Sequence, residues 1–238
     1  MTARHLEKRL FQGEVSDLAE AAFIASGVAT RAELEDCLSL FDGLRRQIAE
    51  EISPGDDVTR LRELFNWLWR TKPRRYRQGG NFRLGDVLRA QLAPDVLEVG
   101  NCLGLTLLYN CLAQRLGLRM KAVYLEVAFD GQPHVFSSYR AGEVAIDIEH
   151  ILPDGFDYKG HLGNPLRVEW DEAGLLADIY HSRGNLFFES RRFGDAVKLY
   201  QKALRLNLKH NQARLNMGLA LAELGRTREA ARLLQEPP

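Results

Sequence analysis

Gly100-Asn101-Cys102-Leu103-Gly104, followed without a break by the apolar run 105–116, is the stretch from which the fold can be read. Small, turn-forming residues deliver a cysteine to the first turn of a predicted helix. At about 100° per residue from Cys102, the polar residues Thr106, Asn110 and Gln114 line up in one stripe at i, i+4 and i+8. Leu103, Leu105, Leu107, Leu108, Cys111, Leu112 and Leu116 occupy nearly all of the remaining circumference. A helix this apolar all round is buried on most sides, and Gly117 is its C-cap candidate.

Downstream the period changes from helical to alternating. Residues 121–129 are rich in Val, Tyr and Leu and predict a strand, with Asp130-Gly131 as a hairpin turn. Residues 133–139 predict a second strand, Arg140-Ala141-Gly142 the next turn, and 143–148 a third strand. The expectation is an α+β core, an antiparallel meander with the buried helix packed on one face.

Upstream, residues 1–52 predict a helical N-terminal region. Leu18, Ala21, Ala22 and Ile24 form one run that stops near Gly27, and Thr30-Arg31-Ala32-Glu33 matches a capping box opening a helix to about Glu51. Leu34, Leu38, Phe41 and Leu44 share one face of that helix. Ser53-Pro54-Gly55-Asp56-Asp57 is a cluster of helix breakers and marks a boundary. The next helix carries Leu61, Leu64, Phe65, Leu68 and Trp69 at helical spacing; Trp67 and Trp69 read either as plain core or as an aromatic wall beside a site. Residues 70–89 hold seven basic side chains against Asp86, with Tyr76 and Phe82 interleaved. That pattern suits nucleic acid, but the zero net charge favours a solvated loop.

From about Asp171 a longer period takes over. Gly184 and Gly218 are 34 residues apart (218 − 184), as are Ala196 and Ala230 (230 − 196), the period of the tetratricopeptide repeat. One copy places Tyr180, Gly184, Phe187, Ala196, Tyr200 and Ala203 at packing positions; the next has Met217, Gly218, Leu221, Gly225 and Ala230 and stops at Pro237-Pro238. Leu208 stands where the repeat usually ends in proline. Two repeats do not bury their own surface, so the pair is expected to dock on the preceding domain or on another chain. The expected domains are 1–52, 53–168 and 169–238.

The chain has 238 residues, 45% hydrophobic and 27% charged, which suits a soluble globular protein. No stretch approaches the length of a membrane span, and the first residues lack a signal-peptide core. Cys37, Cys102 and Cys111 are too few, and odd in number, for a disulfide framework, which points to a reducing compartment, the cytoplasm by default. Cys102 and Cys111 fall on opposite sides of one helix and cannot share an ion; neither a metal nor a cofactor is expected.

Cys102 on a helix N-terminus, His134 on a strand and Asp147 on the next strand make a thiol-nucleophile layout. A helix N-terminus and a neighbouring imidazolium both favour a thiolate, and a carboxylate on the far imidazole nitrogen fixes its tautomer. The Cys102 N–H, at the helix start, is a ready oxyanion donor. Strand geometry leaves the third member open. A turn centred on Arg140-Ala141 pairs His134 with Asp147, and one centred on Ala141-Gly142 pairs it with Glu149.

Gly100-Asn101-Cys102 before a long apolar helix, then Pro133-His134-Val135 and Ala145-Ile146-Asp147, resembles the transglutaminase-like superfamily with its papain-like Cys-His-Asp core. The helical N-terminus, Asn81-Phe82-Arg83-Leu84 followed by Asp86-Val87-Leu88, and the C-terminal repeats look like bacterial SirB1-type proteins. SirB1-type chains often lack the cysteine that this chain carries. The resemblance implies that Asp147 is the third member. It also implies thiol-dependent acyl transfer or hydrolysis on protein or peptide amides, with the repeats engaging a protein partner. The rival expectation is a non-catalytic scaffold that works through the repeats alone.

Overall fold

The computed structural model describes residues 2–128 and 131–235 and forms two compact units that divide after Glu172. The first unit holds α1 (Ala3–Phe11), α2 (Leu18–Ser26), α3 (Arg31–Glu51), α4 (Asp57–Thr71), α5 (Leu84–Leu92) and α6 (Cys102–Arg115). Then come β1 (Lys121–Leu125), β2 (His134–Ala141), β3 (Val144–Ile148) and β4 (Arg167–Trp170), in an antiparallel sheet of order β3-β2-β1-β4. Phe129, Asp130 and Pro237-Pro238, to which the expected strand end, turn and chain end belong, lie outside the described residues.

α6 is buried at every residue from Leu103 to Ala113 and packs against α2, α4, α5 and β2. Its polar stripe is consumed inside the unit, because a buried hydroxyl or amide without a partner is costly. Thr106 donates to the Val135 carbonyl at 3.2 Å, and Asn110 donates to Lys121 O at 3.3 Å while accepting from Ser137 Oγ at 2.5 Å. Gln114 accepts from the Leu18 N–H at 2.8 Å. Helix, sheet and α2 are thus stitched along one line.

The supporting helices begin where their caps are. Thr30 accepts from the Glu33 N–H at 3.2 Å and Glu33 reaches back to the Ala29 N–H at 2.8 Å, so the capping box forms one residue wider than the standard pattern. Asp56 caps α4 through the Thr59 N–H, and Gly27 ends α2 at φ 102°. The basic run 70–89 is largely spent on structure. Lys72 is buried and donates to the carbonyls of Ala93 and Val96, Arg75 is buried, and Arg70 and Arg77 pair with Glu51 and Glu98.

The β2–β3 turn falls later than either expected placement. Gly142, with φ 61°, takes the first of two loop positions between Ala141 and Val144, where a tight hairpin requires a positive φ. That register sets Ser138 opposite Asp147. β4 carries no legible alternation; it adds beside β1, where Trp170 stacks on Tyr124 at 4.1 Å.

The second unit comprises α8 (Phe193–Leu206), α9 (Asn211–Glu223), α10 (Thr227–Gln235) and, but for its first residue, α7 (Glu172–Glu189). The 34-residue period has a packing cause. A Cβ on Gly184 would lie 2.5 Å from the Tyr200 ring, and one on Gly218 3.0 Å from Leu234. In each copy the glycine receives a large side chain from the following helix. Ala196 and Ala230 are buried in the same cluster.

Asn110→Ala is expected to lower the unfolding free energy by about 3 kcal/mol, since it strands a buried hydroxyl and a carbonyl. Urea denaturation checks this; a loss under about 1 kcal/mol would show that the polar stripe contributes little to stability.

Candidate functional site

The Cys102 end of α6 is built by a close backbone approach. Asn101 caps the helix, its Oδ1 accepting from the Gly104 N–H at 3.0 Å, and its own N–H donates to the Asn81 carbonyl at 3.0 Å. Asn81 O would lie 2.6 Å from a Cβ on Gly100 and 2.3 Å from one on Gly104. The two glycines flanking Cys102 are therefore what lets the 75–81 segment lie against the helix start. That segment is tied down by Val99 N–H and Gly100 N–H to Arg75 O and by Arg77 N–H to Gly100 O.

Cys102 and His134 open together into a cleft of about 460 Å³ lined also by Tyr76, Gln78, Gln132, Pro133 and Ile151. Neither Trp67 nor Trp69 lines it. Trp67 is buried and Trp69 lies 6.2 Å from the Phe65 ring, so both belong to the α4 packing. Cys102 is half-buried, whereas Cys37 and Cys111 are buried, with burial the main force raising both of those thiols.

His134 is the first residue of β2. It lines the same cleft as Cys102, and its Nε2 lies 2.7 Å from Glu149 Oε2. Burial works against a charged His134, but the bonds to Cys102 and Glu149 overcome it and raise the imidazole to about 10. Glu149 is also penalised by burial, yet hydrogen bonds from His134 and His161 pull its carboxyl down to about 2. The carboxylate on His134 is thus Glu149. Asp147 sits opposite Ser138, four residues along β2 from His134, about 13 Å at strand spacing. It is engaged by a two-point pair with Arg167 of β4, both contacts 2.7 Å, as that guanidinium crosses the Phe136 ring at 5.5 Å. The later turn separates the two carboxylates in this way.

The sequence reading passed over His161. Its Nε2 lies 2.9 Å from the same Glu149 oxygen, and it is 1% exposed. It sits in the irregular stretch between β3 and β4, where no period carries a signal; the available clue was that three of the six histidines fall between 134 and 161. His150 has a different task. It donates from Nε2 to Ser137 Oγ at 2.6 Å, because the Ser137 proton goes to Asn110, and burial, with help from Arg75, pushes it down to about 3.

Among the described residues, two trios have the donor types of a His–His–carboxylate metal site, His134–Glu149–His161 and Asp178–His181–His210, each with ligand atoms within 4.8 Å. In the second, Asp178 Oδ1 faces His181 Nδ1 and His210 Nε2, both at 3.2 Å. The outward nitrogens already accept, His181 Nε2 from Asn216 and His210 Nδ1 from the Ala213 N–H. A metal-bound neutral imidazole would donate there instead. This trio is a hydrogen-bonded hub that ties α7 to the start of α9. In the first trio the 2.7 and 2.9 Å contacts converge on one carboxylate oxygen and are proton-bearing hydrogen bonds.

A family model described as tetratricopeptide repeat matches residues 181–236. No curated protein and no solved structure matches the chain. The C-terminal helices are therefore repeat-like by both packing and family match. Among the described residues no helix is long and apolar enough to cross a membrane.

Two predictions follow from this geometry. Gly104→Ala should destabilise by about 1–3 kcal/mol despite alanine's better helix propensity, because the new methyl meets a backbone oxygen; a thermal melt showing no loss would refute the close approach. The second concerns pH. His134, raised in the fold, contributes stability that is full below pH 6.5 and is lost as pH rises through about 10. His150, depressed in the fold, withholds a proton that the unfolded chain takes up, so stability is lost as pH falls from 6.5 toward about 3. Melting temperature should peak near pH 6.5, with His134→Gln flattening the alkaline limb and His150→Gln the acid limb.

Proposed function

We propose that the first unit is a transglutaminase-like domain that performs thiol-dependent acyl transfer or hydrolysis on protein or peptide amides. The observation that carries this reading is that Cys102 and His134 line one cleft while His134 Nε2 lies 2.7 Å from the buried Glu149 carboxylate. In this reading Cys102 Sγ, its proton already passed to His134, attacks the amide carbonyl carbon. The oxyanion forms beside the Cys102 N–H, which has no acceptor in the first turn of α6. Collapse breaks the C–N bond, and His134 hands its proton to the departing amine. Water or a second amine then attacks the thioester, giving its proton to His134, and the acyl product leaves as the thiol is restored. Glu149 replaces Asp147 as the orienting carboxylate, since Asp147 is held by Arg167.

The repeat match favours a second role beside the first, protein–protein contact through residues 181–236. On that reading alone the first unit is a non-catalytic scaffold and Cys102 an inert thiol.

The test is iodoacetamide alkylation against pH, with the modified site assigned by mass spectrometry. Cys102 should react alone below pH 7 while the buried Cys37 and Cys111 stay unmodified, and His134→Ala should slow it about tenfold or more. If Cys102 stays silent until the protein unfolds, the catalytic reading fails and the scaffold reading stands.

A further inference from the structure

We infer that His161 is a positioning residue for the Cys102–His134 pair, acting through Glu149; the inference rests on the catalytic reading above. Glu149 Oε2 takes two imidazole contacts, His134 Nε2 at 2.7 Å and His161 Nε2 at 2.9 Å, while Oε1 accepts from the Ile151 N–H at 3.2 Å. An ionised carboxylate only accepts, so both imidazoles carry a hydrogen on Nε2. For His134 this leaves Nδ1 as the nitrogen for Cys102, the tautomer a proton acceptor needs.

Glu149 is fully buried. A carboxylate so placed with one donor drifts toward its neutral form, and each further N–H donor favours the anion. His161 supplies that second side-chain donor. Its ring is fixed in place, stacked on Phe136 at 4.8 Å and 20° and edge-on to Tyr158 at 5.1 Å. It is not among the residues lining the cleft, and its ring lies 5.6 Å from that of His134. The backbone at Glu149 is held as well, its N–H donating to Gly155 O at 2.8 Å. The charge that stabilises an imidazolium at His134 therefore depends on His161, which meets the same Glu149 oxygen as His134 does.

The experiment compares Cys102 alkylation rates at pH 6 and pH 10.5 in the wild type, His134→Ala, His161→Phe and His161→Gln. Phenylalanine keeps the ring stack and removes the donor; glutamine keeps an N–H for Glu149. Expected at pH 6 is a fall of about tenfold in His161→Phe, one pKa unit of lost ion-pair stabilisation, with His161→Gln within about threefold of wild type. At pH 10.5, where free thiolate forms by titration alone, all should agree within about twofold. Equal rates in both His161 variants, fast or slow, overturn the inference, since a role in packing alone gives no glutamine rescue. A wild-type Cys102 that is inert, with His134→Ala no different, brings down the catalytic reading and this inference with it. A Cys102 that needs His134 and ignores His161 brings down the inference alone. Should His161→Phe not fold, ¹⁵N imidazole spectra of the wild type decide: His161 protonated on Nε2 from pH 5 to 8 supports the role, and the opposite tautomer overturns it.

Discussion

Burial of α6 is the constraint on which the first unit is built. A helix apolar around most of its surface has to be covered on several sides, and α2, α4, α5 and β2 cover it. The few polar side chains it carries cannot be left unpaired at that depth. Thr106, Asn110 and Gln114 therefore decide where the sheet and α2 meet the helix, through a strand carbonyl, a serine hydroxyl and a backbone N–H. With the helix so held, its first turn is fixed too, and Cys102 projects from a defined place.

The same end of the helix shows why glycine flanks the cysteine. Asn81 O approaches too closely for a side chain at Gly100 or Gly104, and the bond it accepts from Asn101 aligns the 75–81 segment with the helix start. One wall of the cleft, with Tyr76 and Gln78, follows from that approach. The opposite wall comes from β2 and the stretch after β3, which bring His134 and Ile151. A short loop and a long one meet at the helix terminus, with Cys102 at their junction.

Charge inside the unit is arranged in separate groups. Asp147 is committed to Arg167, joining the two edge strands across the sheet, and Glu149 to two imidazoles. His150 is kept neutral against Ser137. These assignments separate two carboxylates that share a strand face and lie two residues apart, giving one a structural partner and the other the imidazole beside the thiol. In the second unit Asp178 does for helices what Asp147 does for strands, with two histidines in place of an arginine.

Local chemistry was legible in the sequence. The apolar run after Cys102, the capping box at Thr30, the breakers at Ser53–Asp57, and the 34-residue recurrence of glycine each act over a few bonds or a fixed period, and each marks an element found in the structure. The order Cys102 then His134 was legible for the same reason, as one residue at a helix start and one on a strand. Which carboxylate reaches His134 was not, because a hairpin register shifts with the placement of one positive-φ residue, and the loop falls on Gly142-Glu143, one residue past the Ala141-Gly142 placement. β4 and His161 were invisible because a four-residue edge strand and an irregular loop have no period. Their positions come from contacts made far along the chain, with β1 and with Glu149, and such contacts are set only when the whole unit has packed.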